Sequence, residues 1–225
     1  RTLVLGCGKA AAAMAEVAAA HLSGEVTGCV VTRFGHGARA PCGGITIIEA
    51  SHPVPDAASL AAGHHIRELA GTAQAGDRVP LDTERGYHVE WDMAVPPVTR
   101  PTCPTARGFY LCPMKGRLRL AGTVELGGLT APPSPHRVAK LVDGARAIFP
   151  DLPAPSREWM GFRPSMPDSV PVIGPSRAGA DVIHAYGHGH IGLTLAPITA
   201  EIVAALVAGK APPVDVAPCL PNRFA

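Results

Sequence analysis

Short apolar runs punctuate the first third of the chain. Thr2-Leu3-Val4-Leu5, Cys29-Val30-Val31-Thr32 and Ile45-Thr46-Ile47-Ile48 are the lengths expected of buried strands. Between the first two, Lys9 to His21 is alanine-rich and puts Met14, Val17 and Ala18 on one helical face. Ser51-His52-Pro53-Val54-Pro55-Asp56 reads as a turn, with Asp56 placed to cap a second helix over Ala57 to Leu69. Strands alternating with helices predict parallel βαβ units.

From Val79 onward the pattern changes to an antiparallel, turn-punctuated one. Gly86 to Met93 reads as a strand. Gly108-Phe109-Tyr110-Leu111-Cys112-Pro113 turns at Lys115-Gly116 and returns as Leu118 to Val124, a hairpin. Ser134 to Phe149 carries Val138, Leu141, Val142, Ala145 and Ile148 at helical spacing. Ser134 or Pro135 starts this helix and Pro150 stops it. Trp159 to Arg163 and Ser169 to Ile173 are short strands. Val182 to Tyr186 is another, ending in Gly187-His188-Gly189-His190-Ile191-Gly192 before an apolar helix, Leu193 to Val207, closed at Gly209. The expected fold class is an α/β, Rossmann-like βαβ segment joined to an α+β segment with a mostly antiparallel sheet.

Composition sharpens that division. Residues 1–78 hold 3 of the 24 prolines and 1 of the 10 aromatics, so two kinds of sequence meet near Gly76-Asp77-Arg78. The expected segments are therefore 1–77 and 78–225. A net charge of +2 gives no support to a nucleic-acid surface. No apolar run approaches the roughly 18 residues of a membrane span. The start, Arg1-Thr2-Leu3, lacks Met and a signal-peptide layout and reads as a fragment or a processed start; a cytoplasmic location is expected. The six cysteines form no C-x-x-C pair and read as reduced thiols.

Three local features carry candidate chemistry. Gly6-x-Gly8 lies after a strand and before a helix, where backbone N–H groups can meet a phosphate, with Lys9 beside it. The next strand, however, ends in Thr32-Arg33 without the acid that binds a ribose. The alternatives are a plain strand-to-helix turn for the glycines and a solvated helix-start lysine for Lys9. The glycines of 187–192 would let backbone approach a planar or anionic ligand at a helix N-terminus, or would simply make a tight connection. His188 and His190 have no third metal ligand nearby in sequence, so no metal is expected. Arg163, among apolar neighbours, needs a carboxylate partner: Asp168 from within the chain, or a substrate held in a bidentate fork.

GCGKAAAAMA (6–15), VVTRFGHG (30–37) and EASHPVPDAASLAA (49–62) resemble the amino-terminal domain of bacterial glycerate 2-kinase, also called hydroxypyruvate reductase. The resemblance implies that Lys9, with Gly6 and Gly8, contacts substrate or phosphate. It ends near Asp77. Phosphoryl transfer needs an ATP cradle and a metal site, and neither is found in the sequence.

A second resemblance covers about Val79 to Phe224. VPLDTERGYHV (79–89), RGFYLCPMKGRLRLAGTVELGGL (107–129), WMGFRPSMPDSVPVIGPS (159–176) and HAYGHGHIGLTLAPITAEIVAALVAGK (184–210) look like the carboxy-terminal half of FAD-dependent D-amino-acid dehydrogenases and the D-amino-acid oxidase superfamily. It implies FAD as cofactor and a small, carboxylate-bearing amino acid as substrate. Arg163 would bind the carboxylate. Gly187, His188, Gly189, His190, Ile191, Gly192, Leu193 and Thr194 would lie against the flavin ring. Tyr87 and His88 would sit near it on the substrate-domain sheet. Neither a nucleic acid nor a membrane is an expected partner. The two resemblances together predict a fusion of two partial domains, an oxidoreductase incomplete or inactive as it stands. The alternatives are a glycerate 2-kinase-related protein and a non-functional fusion fragment. An exposed apolar patch is expected around Gly187 to Leu195, or a homo-oligomer covering it.

Overall fold

The computed structural model describes residues 2–51, 57–70, 77–177 and 179–224. The turn over 52–56 with its capping Asp56, and Gly76 at the junction, lie outside them. Packing divides the chain into two compact units, Arg1–Leu81 with Ser165–Ala225, and Asp82–Pro164. The change in composition near residue 78 and this division are different boundaries, because the alanine-rich segment packs with the last elements of the chain.

In the first unit the strands are longer than the apolar runs, the first at one end and the other two at both. β1 is Thr2–Cys7, β2 Val26–Arg33 and β3 Gly44–Ala50, all parallel in the order β1-β2-β3, with Leu5 beside Cys29 and Cys29 beside Thr46. Helices α1, Ala11–His21, and α2, Ala57–Ala70, follow β1 and β3. The alanines of α1 serve close packing: Ala11 and Ala15 are buried with Val30, Cys42 and Ile45, since a side chain of one carbon lets the helix approach the sheet. Gly28 answers the same crowding inside the sheet. With φ +152, a Cβ there would stand 1.9 Å from the Val4 carbonyl oxygen. No helix joins β2 to β3. The connecting loop is tied instead to α1, where the Glu16 carboxylate accepts the N–H groups of Arg39 and Ala40.

The same unit holds the antiparallel pair β8, Val172–Ser176, and β9, Gly179–Tyr186, and the helix α4, Gly192–Val207, which packs on β8, β9 and α1. Asp77 is anchored to this pair. Its carboxylate, 1 % exposed, accepts from Arg177 Nε at 2.8 Å and lies 2.9 Å from His184 Nε2. The Ser176 hydroxyl, then Arg177 and His184, hold its carboxyl well below the usual carboxylate range. A folded pKa below the unfolded value of about 3.9 stabilises above that pH, and the contribution is lost on acidification. The urea midpoint of the wild type should fall more steeply than that of Asp77→Asn between about pH 5 and pH 2, the two curves drawing together toward the acid end. Parallel curves would refute the assignment.

The second unit is a four-stranded antiparallel layer under one helix. β4, Asp82–Asp92, β5, Phe109–Met114, β6, Arg117–Glu125, and β7, Arg157–Ser165, lie in the order β5-β6-β4-β7. Helix α3, Pro135–Arg146, begins as expected with Pro135 in its first turn, behind an extended Ser134. Period-two alternation sorts the faces of the sheet. Tyr87, Val89 and Trp91 of β4 join Phe109, Leu111, Leu118 and Leu120 against Leu141 and Ala145 of α3. Gly86, His88 and Glu90 point to the opposite face. Glu90 is buried there among Arg119 at 2.6 Å, Arg157 at 3.2 Å and Arg117 at 3.4 Å. These guanidiniums outweigh the desolvation of the carboxyl and lower its pKa.

Candidate functional site

Arg163 lies on β7 and its guanidinium rests on Gly86 of β4. An ideal Cβ at Gly86 would be 2.1 Å from Cζ, 2.1 Å from Nη2 and 2.2 Å from Nη1. Burial lowers the Arg163 pKa and nearby Glu84 opposes the shift, so a permanently charged group is held partly out of water. Asp168 pairs with Arg223 Nε at 2.8 Å and accepts the Val170 N–H, an ion pair spanning 55 residues that proximity along the chain did not suggest.

Beside Arg163 on the same face, His88 stacks on Trp159, with centroids 4.6 Å apart and planes at 21°. The Trp159 ring in turn covers Gly161. Tyr87 is on the other face. It is 1 % exposed in the core, its hydroxyl donates to Glu125 and accepts the Ser134 N–H at 3.0 Å, and desolvation pushes its pKa up. Adjacent residues on a strand take opposite faces, so Tyr87, expected near the ring together with His88, lies on the α3 side while His88 takes the side of Arg163. Gly86 was not singled out in the sequence, although the alternation that buries Tyr87 puts Gly86 opposite it.

In the first unit, β9 runs into the loop 187–192. Gly187 has φ +77 and Gly189 φ +55, conformations that favour glycine, and Met166 would meet a Cβ at Gly187 at 2.9 Å. His188 is fixed twice. Its backbone bridges Ser165, and its Nε2 lies 3.0 Å from Oγ1 of the fully buried Thr199 in α4. Burial lowers its pKa, which keeps the imidazole neutral near pH 7. His190, Ile191, Leu193 and Thr194 are exposed, Leu193 by 72 %. Ile191 and Leu193 are the large apolar side chains exposed in the stretch Gly187 to Leu195, where an apolar patch was expected. Two glycines and an accessible first turn of a 16-residue helix fit a flat group with a polar edge, which can approach backbone and meet the helix's positive end.

The other glycine turn, at the end of β1, is also in this unit. Gly8 has φ +132 with open space where a Cβ would stand, and its N–H bonds to Val31 at 2.9 Å. The Thr32 hydroxyl reaches the Lys9 carbonyl at 3.4 Å, tying the ends of β1 and β2 together. Lys9 is exposed. β2 ends at Arg33, and the carboxylate nearest in register is Glu49 on β3, opposite Thr32. Among the described residues no three His, Cys, Asp or Glu side chains gather as a metal site requires, and no helix is long and apolar enough to cross a membrane.

Over residues 2–206 the chain matches the family described as FAD dependent oxidoreductase. A D-amino-acid oxidase of Bradyrhizobium diazoefficiens is 44 % identical over 178 residues, covering 75 % of this chain and 41 % of that protein. A D-amino acid dehydrogenase of Mesorhizobium japonicum is 34 % identical over 166 residues, covering 71 % and 40 %. The chain thus spans about two fifths of the length of the curated relatives it matches. The crystal structure of glycine oxidase from Geobacillus kaustophilus superposes with a TM-score of 0.59 at 24 % identity, over 84 % of this chain and 46 % of that one, which shows the fold. The family match takes in the segment that resembles glycerate 2-kinase, whose parallel βαβ arrangement fits the FAD-binding domain; nothing found supports a kinase segment or a fusion. One family accounts for both kinds of sequence, and the chain belongs to the FAD-dependent oxidoreductases of the D-amino-acid oxidase type.

Proposed function

We propose that this chain oxidises a D-amino acid, with Arg163 as the carboxylate-binding residue and Gly187 to Thr194 as the backbone against which the flavin ring lies. The observation that carries the reading is the placement of Arg163: a charged guanidinium, partly desolvated, held flat on the sheet face opposite α3. An anion meeting that group interacts more strongly than it would with a fully hydrated one.

FAD, when bound, supplies the acceptor for the hydride that leaves the substrate Cα. The chain's own residues bind and orient. Arg163 fixes the carboxylate and so restricts which Cα–H can be presented. The loop contributes glycine backbone, and α4 contributes the positive end of its dipole, at residues whose side chains do not crowd the approach. His188 acts through its bond to Thr199, holding the loop on its helix, and its neutral ring adds no charge. If the amine is bound neutral, loss of hydride from Cα and a proton from nitrogen gives the imino acid without a dedicated base. Water then hydrolyses it to the 2-oxo acid and ammonium.

The test is anaerobic reduction of an artificial electron acceptor by D-alanine, L-alanine and D-alaninamide, with FAD added. The proposal expects turnover with D-alanine, at least about tenfold less with the amide, which lacks the carboxylate, and none with the L-isomer. Equal rates with acid and amide would overturn the role of Arg163.

A further inference from the structure

The least expected geometry on the Arg163 face is the contact with Gly86. The point where a Cβ would stand is almost equally far from Cζ, Nη1 and Nη2 of Arg163. Such a point lies off the guanidinium plane, so one face of the group rests on the main chain of β4 and the N–H donors lie around its rim. Gly86 is not among the residues with positive φ, so its backbone does not itself require glycine. What requires it is the space the guanidinium occupies.

The strand opposite is irregular at the same place. Gly86 is in register with Val124 but Tyr87 with Gly122, which leaves Thr123 as the extra residue of a bulge. Thr123 adopts φ +60, a strained conformation for a β-branched residue, and its Oγ1 is buried without a hydrogen-bond partner. Bulges kink a strand and re-aim its neighbours. Here the kink adjoins the glycine on which the guanidinium rests.

We infer that Gly86 is a positioning residue: its missing side chain, at the Thr123 bulge, seats the Arg163 guanidinium and sets where the substrate carboxylate is held. This rests on the carboxylate-binding reading of Arg163 and adds the device that makes it geometrically selective. An alanine at 86 suits the backbone but puts a methyl group inside the guanidinium, which must swing off the sheet.

Two measurements on the intact protein test the inference. The first needs no ligand. In nitrogen-15 NMR spectra, the Arg163 Nε–Hε resonance, identified by its loss in Arg163→Ala, should shift and sharpen in Gly86→Ala as the group becomes mobile, while the core resonances of Trp91 stay in place. The second is titration with propionate and propionamide. Gly86→Ala should weaken propionate about tenfold or more and leave propionamide unchanged. In the Arg163→Ala background the same substitution should have no further effect, as a coupled pair requires. An unshifted Arg163 resonance overturns the inference, and so does a loss of propionate affinity that persists undiminished without Arg163. A wild type that does not prefer propionate to propionamide contradicts the carboxylate-binding reading itself, and the resonance then decides the seat alone.

Discussion

Replacing Arg163 with alanine is expected to raise the KM for an amino acid substrate by about 10²–10⁴-fold. Two charge-assisted hydrogen bonds from one guanidinium, at about 1.5–3 kcal/mol each, set that scale. Arg163→Lys should recover only a small part. An ammonium keeps the charge but has neither the planar fork nor a flat face to rest on Gly86. Steady-state kinetics with the acid and its amide separate the effects, because the amide should be almost insensitive to either substitution. A KM for the acid within threefold of wild type in Arg163→Ala would show that the carboxylate is bound elsewhere.

Arg85→Ala should destabilise the second unit by about 2–4 kcal/mol, the loss of a buried guanidinium's hydrogen bonds to two carbonyls and of its contact with a partly exposed carboxylate. Arg85 is 1 % exposed. Its Nε lies 3.3 Å from Glu125, its Nη2 donates to the Pro132 carbonyl at 2.6 Å and its Nη1 to that of Gly127 at 3.4 Å. One side chain thus closes the loop between β6 and α3 over the sheet. Removing it also leaves Glu125, already bonded to Tyr87, without its cation. Urea unfolding followed by Trp91, buried in the same unit, reads the loss. The double variant Arg85→Ala/Glu125→Gln should lose less than Arg85→Ala alone, since no carboxylate is then left without its cation. A loss below about 1 kcal/mol in the single variant would place the contact among weak surface pairs.

The strands were legible where a short apolar run had only one way to be buried. Cys29 to Thr32 and Ile45 to Ile48 both appear, each lengthened by residues that hydrogen bonding recruits at the ends, Thr27, Arg33 and Glu49 among them. The hairpin at Lys115-Gly116 and the helix behind Pro135 were legible from turn and cap chemistry, which is local. Partners distant along the chain were not. Asp168 is five residues from Arg163, yet it pairs with Arg223, and no local pattern encodes that choice. Tyr87 and His88 were both placed near the ring by the family resemblance. On a strand adjacency means opposite faces, and the alternation Tyr87, Val89, Trp91 already carried that information. The step in proline and aromatic content near residue 78 is real, but it reports what each segment is made of. Which segments share a core depends on the packing of α1 with α4, residues about 180 positions apart.

Equilibrium titration of the purified protein with FAD tests most directly whether the loop Gly187 to Thr194 holds a flavin. Quenching of flavin fluorescence should saturate at one FAD per chain. Gly189→Val, which puts a branched side chain at φ +55 with the Ser165 hydroxyl 3.2 Å from its Cβ, should weaken binding by about tenfold or more. A protein that stays colourless with FAD, or one whose affinity for it is the same with valine at 189, would contradict that placement.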